Sequence, residues 1–248
     1  MSEVLDVAKK DGRWTECPSC SEIIITQKLQ ENLWVCSHCE YHFRLGAKQR
    51  IALVCDQDSF NEISLSETGA DDRGQIPDEA IYGGMADINA CRCIIGVMDF
   101  SHKGGTMGVQ VGQYIIHLMK MARQESLPLV LFCASGGVRI QEGIWGLFQM
   151  LRTTHARNET RDVPMITVFT DPTTGGVSAS FSALADVLLA EPGSRIGFAG
   201  PRVIESTLQC TLPSDFQNAE KLLSNGFLDR IVHRHDLRDT LSLILRWF

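Results

Sequence analysis

Apolar and polar positions follow two periods along this chain. Short runs rich in valine, isoleucine, leucine and phenylalanine stand at Met85–Ile88, Cys91–Phe100, Leu129–Cys133, Val163–Phe169, Val187–Ala190, Ser194–Phe198 and Leu228–His233. Their length and β-branched content predict mostly buried strands. Between them the period changes. Val111, Ile115, Leu118, Met119 and Ala122 recur at helical spacing and predict an amphipathic helix after Gly108. Ile144, Leu147, Phe148 and Leu151 mark another, and Trp145 and Met150 make it apolar almost all round, so more than its own domain should cover it. Shorter helices are predicted at Ala47–Leu53, from Pro201 onward, at Ala219–Ser224 before the Asn225-Gly226 stop, and at Leu237–Trp247. Ile63-Ser64-Leu65-Ser66 alternates like a short strand, and the polar stretch from Glu67 to Pro77 is a loop. The repeated β-β-α succession predicts an α/β domain wound as a spiral.

Four early cysteines change that picture. Cys17-Pro18-Ser19-Cys20 and Cys36-Ser37-His38-Cys39 are paired Cys-x-x-Cys knuckles fifteen residues apart. That spacing points to one tetrahedral zinc ion held by Cys17, Cys20, Cys36 and Cys39. Four thiolates fill the coordination sphere, so the site is read as structural. His38 and His42 are nearby competitors, but Cys39 completes the second knuckle. Ile23–Thr26 and Leu33–Val35 are expected as the strands of a zinc ribbon. The chain is thus divided into a ribbon at 13–45 and an α/β domain at 46–248.

Composition sets outer bounds. The chain has 248 residues, 44% of them hydrophobic, enough for a sizeable core. No apolar run reaches membrane-spanning length, and the first ten residues lack a signal-peptide core. Nine cysteines, an odd number, fit a reducing cytoplasm better than a disulfide framework. Lys9, Lys10, Arg13, Arg44, Lys48 and Arg50 form either a basic face for nucleic acid or the solvated rim of a ribbon. The net charge of -7 favours the rim.

The candidate chemistry lies in glycine loops that follow strands. Thr170-Asp171-Pro172-Thr173-Thr174-Gly175-Gly176 leads from one strand into small residues and then Phe181, Ala183 and Leu184 at helical spacing. Ala134-Ser135-Gly136-Gly137-Val138-Arg139 repeats the arrangement, and Lys103-Gly104-Gly105-Thr106-Met107-Gly108 is a third glycine loop. Backbone N–H groups at a helix start lack intrahelical acceptors, and glycine lets a ligand come close. Such places suit an oxyanion hole, although glycine is also the ordinary turn residue. Ser135 lies outside any Gly-x-Ser-x-Gly pattern, so it is not read as a nucleophile.

Together these residues resemble the β subunits of bacterial acetyl-CoA carboxylase carboxyltransferase. The likeness is carried by the zinc knuckles, Gly104-Gly105-Thr106-Met107-Gly108, Ala134-Ser135-Gly136-Gly137, Thr170 to Phe181, and Ala190-Glu191-Pro192 through Ile196 to Glu205. It implies a crotonase-like fold behind the ribbon and transfer of a carboxyl group from carboxybiotin to acetyl-CoA, giving malonyl-CoA. It also implies an α subunit in an α2β2 assembly, a biotin carboxyl carrier protein, and biotin carboxylase in the larger complex. Gly136, Gly137, Gly175 and Gly176 are then the catalytic backbone. Gly104, Gly105, Val138 and Ile140 face substrate. Arg139 is expected to hold its loop by pairing with a carboxylate.

Two departures stand out. The family's longer, lysine-rich stretch before the catalytic domain is here short and acidic, with Glu62, Glu67, Asp71, Asp72, Asp78 and Glu79 against Arg73. Where the family reads Gly-Gly-Ala-Arg-Met, this chain has Gly136-Gly137-Val138-Arg139-Ile140. A related acyl-CoA carboxyltransferase or decarboxylase subunit, and an inhibitor-tolerant second copy, therefore stay open beside the main assignment.

Overall fold

The computed structural model describes residues 13–63, 79–213 and 215–248. Lys9, Lys10, the strand positions 64–66 and the polar loop to Pro77 lie outside the described residues. The chain forms two compact units, divided between Leu45 and Gly46.

In the first unit, β1 (Trp14–Glu16) pairs antiparallel with β2 (Ile23–Ile25). The two cysteine knuckles share one backbone pattern. The Cys17 N–H donates to the Glu22 carbonyl, and the Ser21 N–H returns to Cys17. Cys36 does the same with Tyr41 and Glu40. Ser21 and Glu40 take matching positive φ values of 60° and 59°, the cost of so tight a turn. A small core of Cys17, Ile24, Leu29, Cys36 and Phe43 sits between them. The expected second pair of strands is different. Thr26–Glu31 is a helix, α1, and Leu33 and Trp34 have φ of 53° and 60°. The Trp34 N–H caps the helix at the Leu29 carbonyl, so of Leu33–Val35 only Val35 bridges to a neighbour, His42.

The second unit is built on an eight-stranded sheet. Its strands are β3 (Asn61–Glu62), β4 (Ile81–Ile88), β5 (Cys91–Met98), β6 (Leu129–Ser135), β7 (Met165–Thr174), β8 (Val187–Ala190), β9 (Ile196–Gly197) and β10 (Arg230–Ile231). The order is β10-β8-β7-β6-β5-β4-β3, with β9 beside the far end of β7. β4 and β5 form an antiparallel hairpin turned at Asn89-Ala90, both at positive φ. From β5 to β10 all pairing is parallel. Strand alternation divides the core in two. Leu129, Leu131 and Cys133 face one side, with Met165 and Phe169, under α3 (Val109–Glu125) and α4 (Ile144–Glu159). Val130, Phe132, Ile166 and Val168 face the other, under α2 (Ala47–Val54) and α8 (Arg234–Leu245).

The helix starts differ most from expectation. β6 and β7 both run past their apolar cores to Ser135 and Thr174. After Gly137 the chain makes a bridge and a 3-10 turn before α4 begins at Ile144. After Thr174, α5 (Gly175–Ser178) is only one turn, and Phe181–Leu184 is a 3-10 turn. α8 starts at Arg234, not Leu237, because the His233 ring accepts a hydrogen bond from the His235 N–H and caps it. α6 (Pro201–Leu208) and α7 (Ala219–Ser224) complete the chain. Among the described residues, no helix is long and apolar enough to cross a membrane.

One site of the basic stretch has another task. Arg50 is buried and pairs with Glu191, so it belongs to no basic face.

Candidate functional site

The four cysteine sulfurs lie within 4.8 Å of one another. Cys17 Sγ is 3.6 Å from Cys39 Sγ, and Cys20 Sγ is 3.8 Å from Cys36 Sγ. A tetrahedron with metal–sulfur bonds of about 2.3 Å has edges of about 3.8 Å, so one zinc ion fits. The crowding shows in the thiols. Burial pushes Cys39 up, yet hydrogen bonds from the Tyr41 N–H, Ser19 and the neighbouring thiols bring it down to about 6. The Glu22 N–H favours a Cys20 thiolate, but burial and the other three sulfurs push it up to about 12. A cation at the centre is what would let all four ionise together. Neither His38 nor His42 belongs to the cluster.

In the larger unit three loops meet at the C-terminal ends of β6 and β7, where open α/β sheets usually present ligand sites. Their contacts are mostly backbone. The Gly136 N–H donates to Gly104 O at 2.9 Å. Ser135 Oγ accepts from the Gly137 N–H at 3.0 Å and donates to Gly105 O at 2.6 Å. Met107 N–H donates to Gly137 O at 2.8 Å, and Arg139 N–H returns to Met107 O at 2.9 Å. Thr173 Oγ1 donates to Cys133 O at 2.6 Å, locking the β7 end to β6. Gly175 N–H donates to Phe198 O at 2.9 Å.

These bonds bring Gly104, Gly105, Gly136, Gly137, Gly175 and Gly176 to one place. They also show why glycine is needed at two of them. Gly137 and Gly175 both have positive φ, 114° and 65°, and a Cβ on Gly175 would sit 2.9 Å from the Gly137 Cα. The N–H groups of Gly136, Gly137 and Gly175, however, already have acceptors within the protein. Two neighbouring N–H groups do not: among the described residues, neither Val138 nor Gly176 donates to a protein acceptor. Gly176 N lies 3.4 Å from where a Gly137 Cβ would be, and the Val138 side chain packs over Gly176 with Met150. Sequence reasoning located these loops but not which amides are committed, because each acceptor comes from another loop. Ile140 stands apart, 81% exposed, beside the apolar face of α4.

Arg139 does find a carboxylate, and more than one. Its guanidinium meets Glu79 through two bonds of 3.0 and 2.8 Å, and Glu142 at 3.1 Å. Glu79 was expected in an acidic loop, but it is buried, 4% exposed. Burial pushes its carboxyl up, while the hydrogen bonds and charge of Arg139, with help from the Ala80 N–H and Lys103, hold it below the usual carboxylate range.

The chain has known relatives. Residues 43–247 match the model of the carboxyl transferase domain. The chain belongs to the carboxyl transferase family. Among its members, the acetyl-coenzyme A carboxylase carboxyl transferase subunit beta of Carboxydothermus hydrogenoformans is 43% identical over 253 residues, covering 96% of this chain and 90% of that one. A protein of Natranaerobius thermophilus named as carboxyl transferase subunits beta/alpha is 42% identical over 252 residues. That match takes 95% of this chain but 42% of the relative, so the present carboxyl transferase chain spans less than half of it. In fold, the chain resembles the transcarboxylase 12S crystal structure at a TM-score of 0.71 and 24% identity, over 80% of this chain and 41% of that one. The carboxyl transferase domain here is the crotonase-like α/β spiral the sequence implied.

Proposed function

We propose that this chain is the β subunit of an acetyl-CoA carboxylase carboxyltransferase, forming malonyl-CoA from acetyl-CoA. The observation that carries this reading is the pair of uncommitted N–H groups on Val138 and Gly176. When the α-carbon of an acyl thioester loses a proton, negative charge builds on its carbonyl oxygen. Two preorganised N–H donors stabilise that charge, and loss of one such donor typically costs roughly 2.7–4 kcal/mol. Carboxybiotin, arriving on a carrier protein, supplies the carboxyl group. Gly137 and Gly175 form the close-packed frame of the donor pair, and Gly104, Gly105 and Gly136 brace it. Residues 46–248 are the catalytic domain. Residues 13–45 are a ribbon holding one structural zinc ion, and the protein works in the cytoplasm.

Replacing Gly176 by alanine tests the donors. A Cβ there collides with the Val138 side chain and with Met150, whose Sδ would be 2.8 Å away. The collision spreads the pair, and kcat for malonyl-CoA formation should fall about a hundredfold. Zinc content and assembly should be normal. Full kcat in a folded variant would place the oxyanion donors elsewhere.

The chain should also need a partner. Ile144, Trp145, Leu147, Phe148 and Leu151 of α4 are between 46% and 69% exposed, an apolar face suited to a carboxyltransferase α subunit. The purified chain alone should make no malonyl-CoA, and adding the cognate α subunit with carboxybiotin should start the reaction. Equal activity with and without the α subunit would show that the site is complete in one chain.

A further inference from the structure

We infer that Glu79 positions the Val138 donor, acting through Arg139. The inference rests on the oxyanion-donor reading above and adds a residue to it.

The Gly137–Val138 peptide decides where the donor points. In a trans peptide the C=O and N–H point in opposite directions. The Gly137 carbonyl is held by the Met107 N–H, so the Val138 N–H is turned away from Met107. Ser135 Oγ lies 3.3 Å from the same carbonyl, but the shorter bond, 2.8 Å from Met107, belongs to the bridge between residues 106–107 and 137–139, so opening that bridge frees the peptide to turn. That bridge has two backbone hydrogen bonds, and the Arg139 side chain adds two more. Its Nη2 donates to Thr106 O at 2.9 Å, and its Nε to Thr106 Oγ1 at 3.2 Å.

Arg139 can hold Thr106 only while its guanidinium is held in turn. Glu79 does this from the far side, with one carboxylate oxygen on each terminal nitrogen. Glu142 takes the remaining Nη1 proton with Oε1, and its Oε2 accepts the Val109 N–H that opens α3. All five guanidinium protons are thus used. Arg139 is 6% exposed and the Glu79 side chain 2%, so the pair is shielded from water. Lys103 Nζ, 3.6 Å from Glu79 Oε1, balances the second carboxylate. Without the Glu79 charge, a buried guanidinium keeps a single carboxylate partner. The loop can then regain hydration for Arg139 only by opening the bridge to Thr106.

The test compares Glu79→Gln, which keeps shape and loses charge, with Glu79→Asp, which keeps charge at shorter reach. Each is assembled with the cognate α subunit, beside wild type and Asp162→Asn, a control in the exposed Arg123–Asp162 pair. Two readouts are taken on each complex. Hydrogen exchange of residues 104–109 and 136–143 should speed up in Glu79→Gln, since the bridge amides exchange only when it opens, while β6 and β7 exchange as in wild type. kcat should drop on the order of 10–100-fold, the scale of a misplaced catalytic group, with the acetyl-CoA KM within about twofold of wild type. Glu79→Asp should recover part of kcat. Unchanged exchange in Glu79→Gln would overturn the inference whatever the activity does. Faster exchange with wild-type kcat would also overturn it, since the loop would then be held for stability alone. If wild type itself makes no malonyl-CoA with the α subunit, the proposed function fails, and exchange still decides whether Glu79 holds the Val138 loop.

Discussion

Removing zinc from the cysteine cluster should unfold residues 13–45 and leave the larger unit folded. The small unit has a core of Cys17, Ile24, Leu29, Cys36 and Phe43, with Trp34 and Tyr41 packed against it, and beyond that cluster Val35, His42 and Leu45 are buried among its described residues. So few side chains cannot offset the conformational entropy of ordering some thirty residues, which is about 1–2 kcal/mol each for the backbone alone. Four thiolates on one zinc ion supply the difference, about 10–16 kcal/mol at neutral pH in small zinc-finger peptides. The larger unit has two extensive cores of its own, on the two faces of its sheet. A chelator should therefore release one zinc per chain and open 13–45 to protease, while a fragment from about residue 46 onward survives intact. Cys36→Ser should reproduce this without chelator. Because the ligands bind as thiolates, protons compete with the metal, and zinc should be held less tightly as pH falls. A metal-free chain with an unchanged proteolysis pattern would show that the ribbon stands without zinc.

The metal site was legible because its signal is local. Four cysteines at fixed spacing define a site whatever the rest of the chain does. The glycine loops were legible for a similar reason: each strand and the Gly-Gly after it are contiguous in sequence. What the loops do to one another was not. Gly136 spends its N–H on Gly104, and Gly175 spends its own on Phe198, partners more than twenty residues away. The two amides left over, on Val138 and Gly176, emerge only when those pairings are known. Glu79 was hidden differently. It follows a run of exposed-type residues and reads as one more acidic loop position, yet it meets an arginine sixty residues later. Leu33–Val35 misled through composition: a leucine and two β-favouring residues, Trp34 and Val35, stand where a helix end needs a left-handed turn, and the Trp34 cap prevails.

Glu191 should be one of the most costly single side chains to remove. It lies just after β8, 2% exposed, between two arginines that are themselves 4% and 5% exposed, Arg50 of α2 and Arg234 at the start of α8. Arg234 donates to both carboxylate oxygens, Nε at 2.8 Å and Nη2 at 2.7 Å. Arg50 reaches the same two oxygens from the other helix. One carboxylate therefore ties both helices of this face to the end of β8. Burial pushes the Arg50 guanidinium down, Glu191 draws it up, and Arg234 opposes it as a like charge. Glu191→Leu would remove the carboxylate that two buried, like-charged guanidinium groups share. Breaking a buried pair by removing one partner costs about 3–5 kcal/mol, because the remaining charge is stranded. At about 2–4 °C per kcal/mol for a chain of this size, the melting temperature should fall by roughly 6–20 °C. The partner substitutions decide whether charge is the cause. In Arg50→Met, Glu191→Leu, Arg234→Met together all three charges are removed, and well-packed apolar replacements of buried ion networks are often neutral. The triple variant should therefore melt well above Glu191→Leu alone. If the triple variant melts as low as the single one, the loss comes from packing around Glu191 and not from unpaired charge.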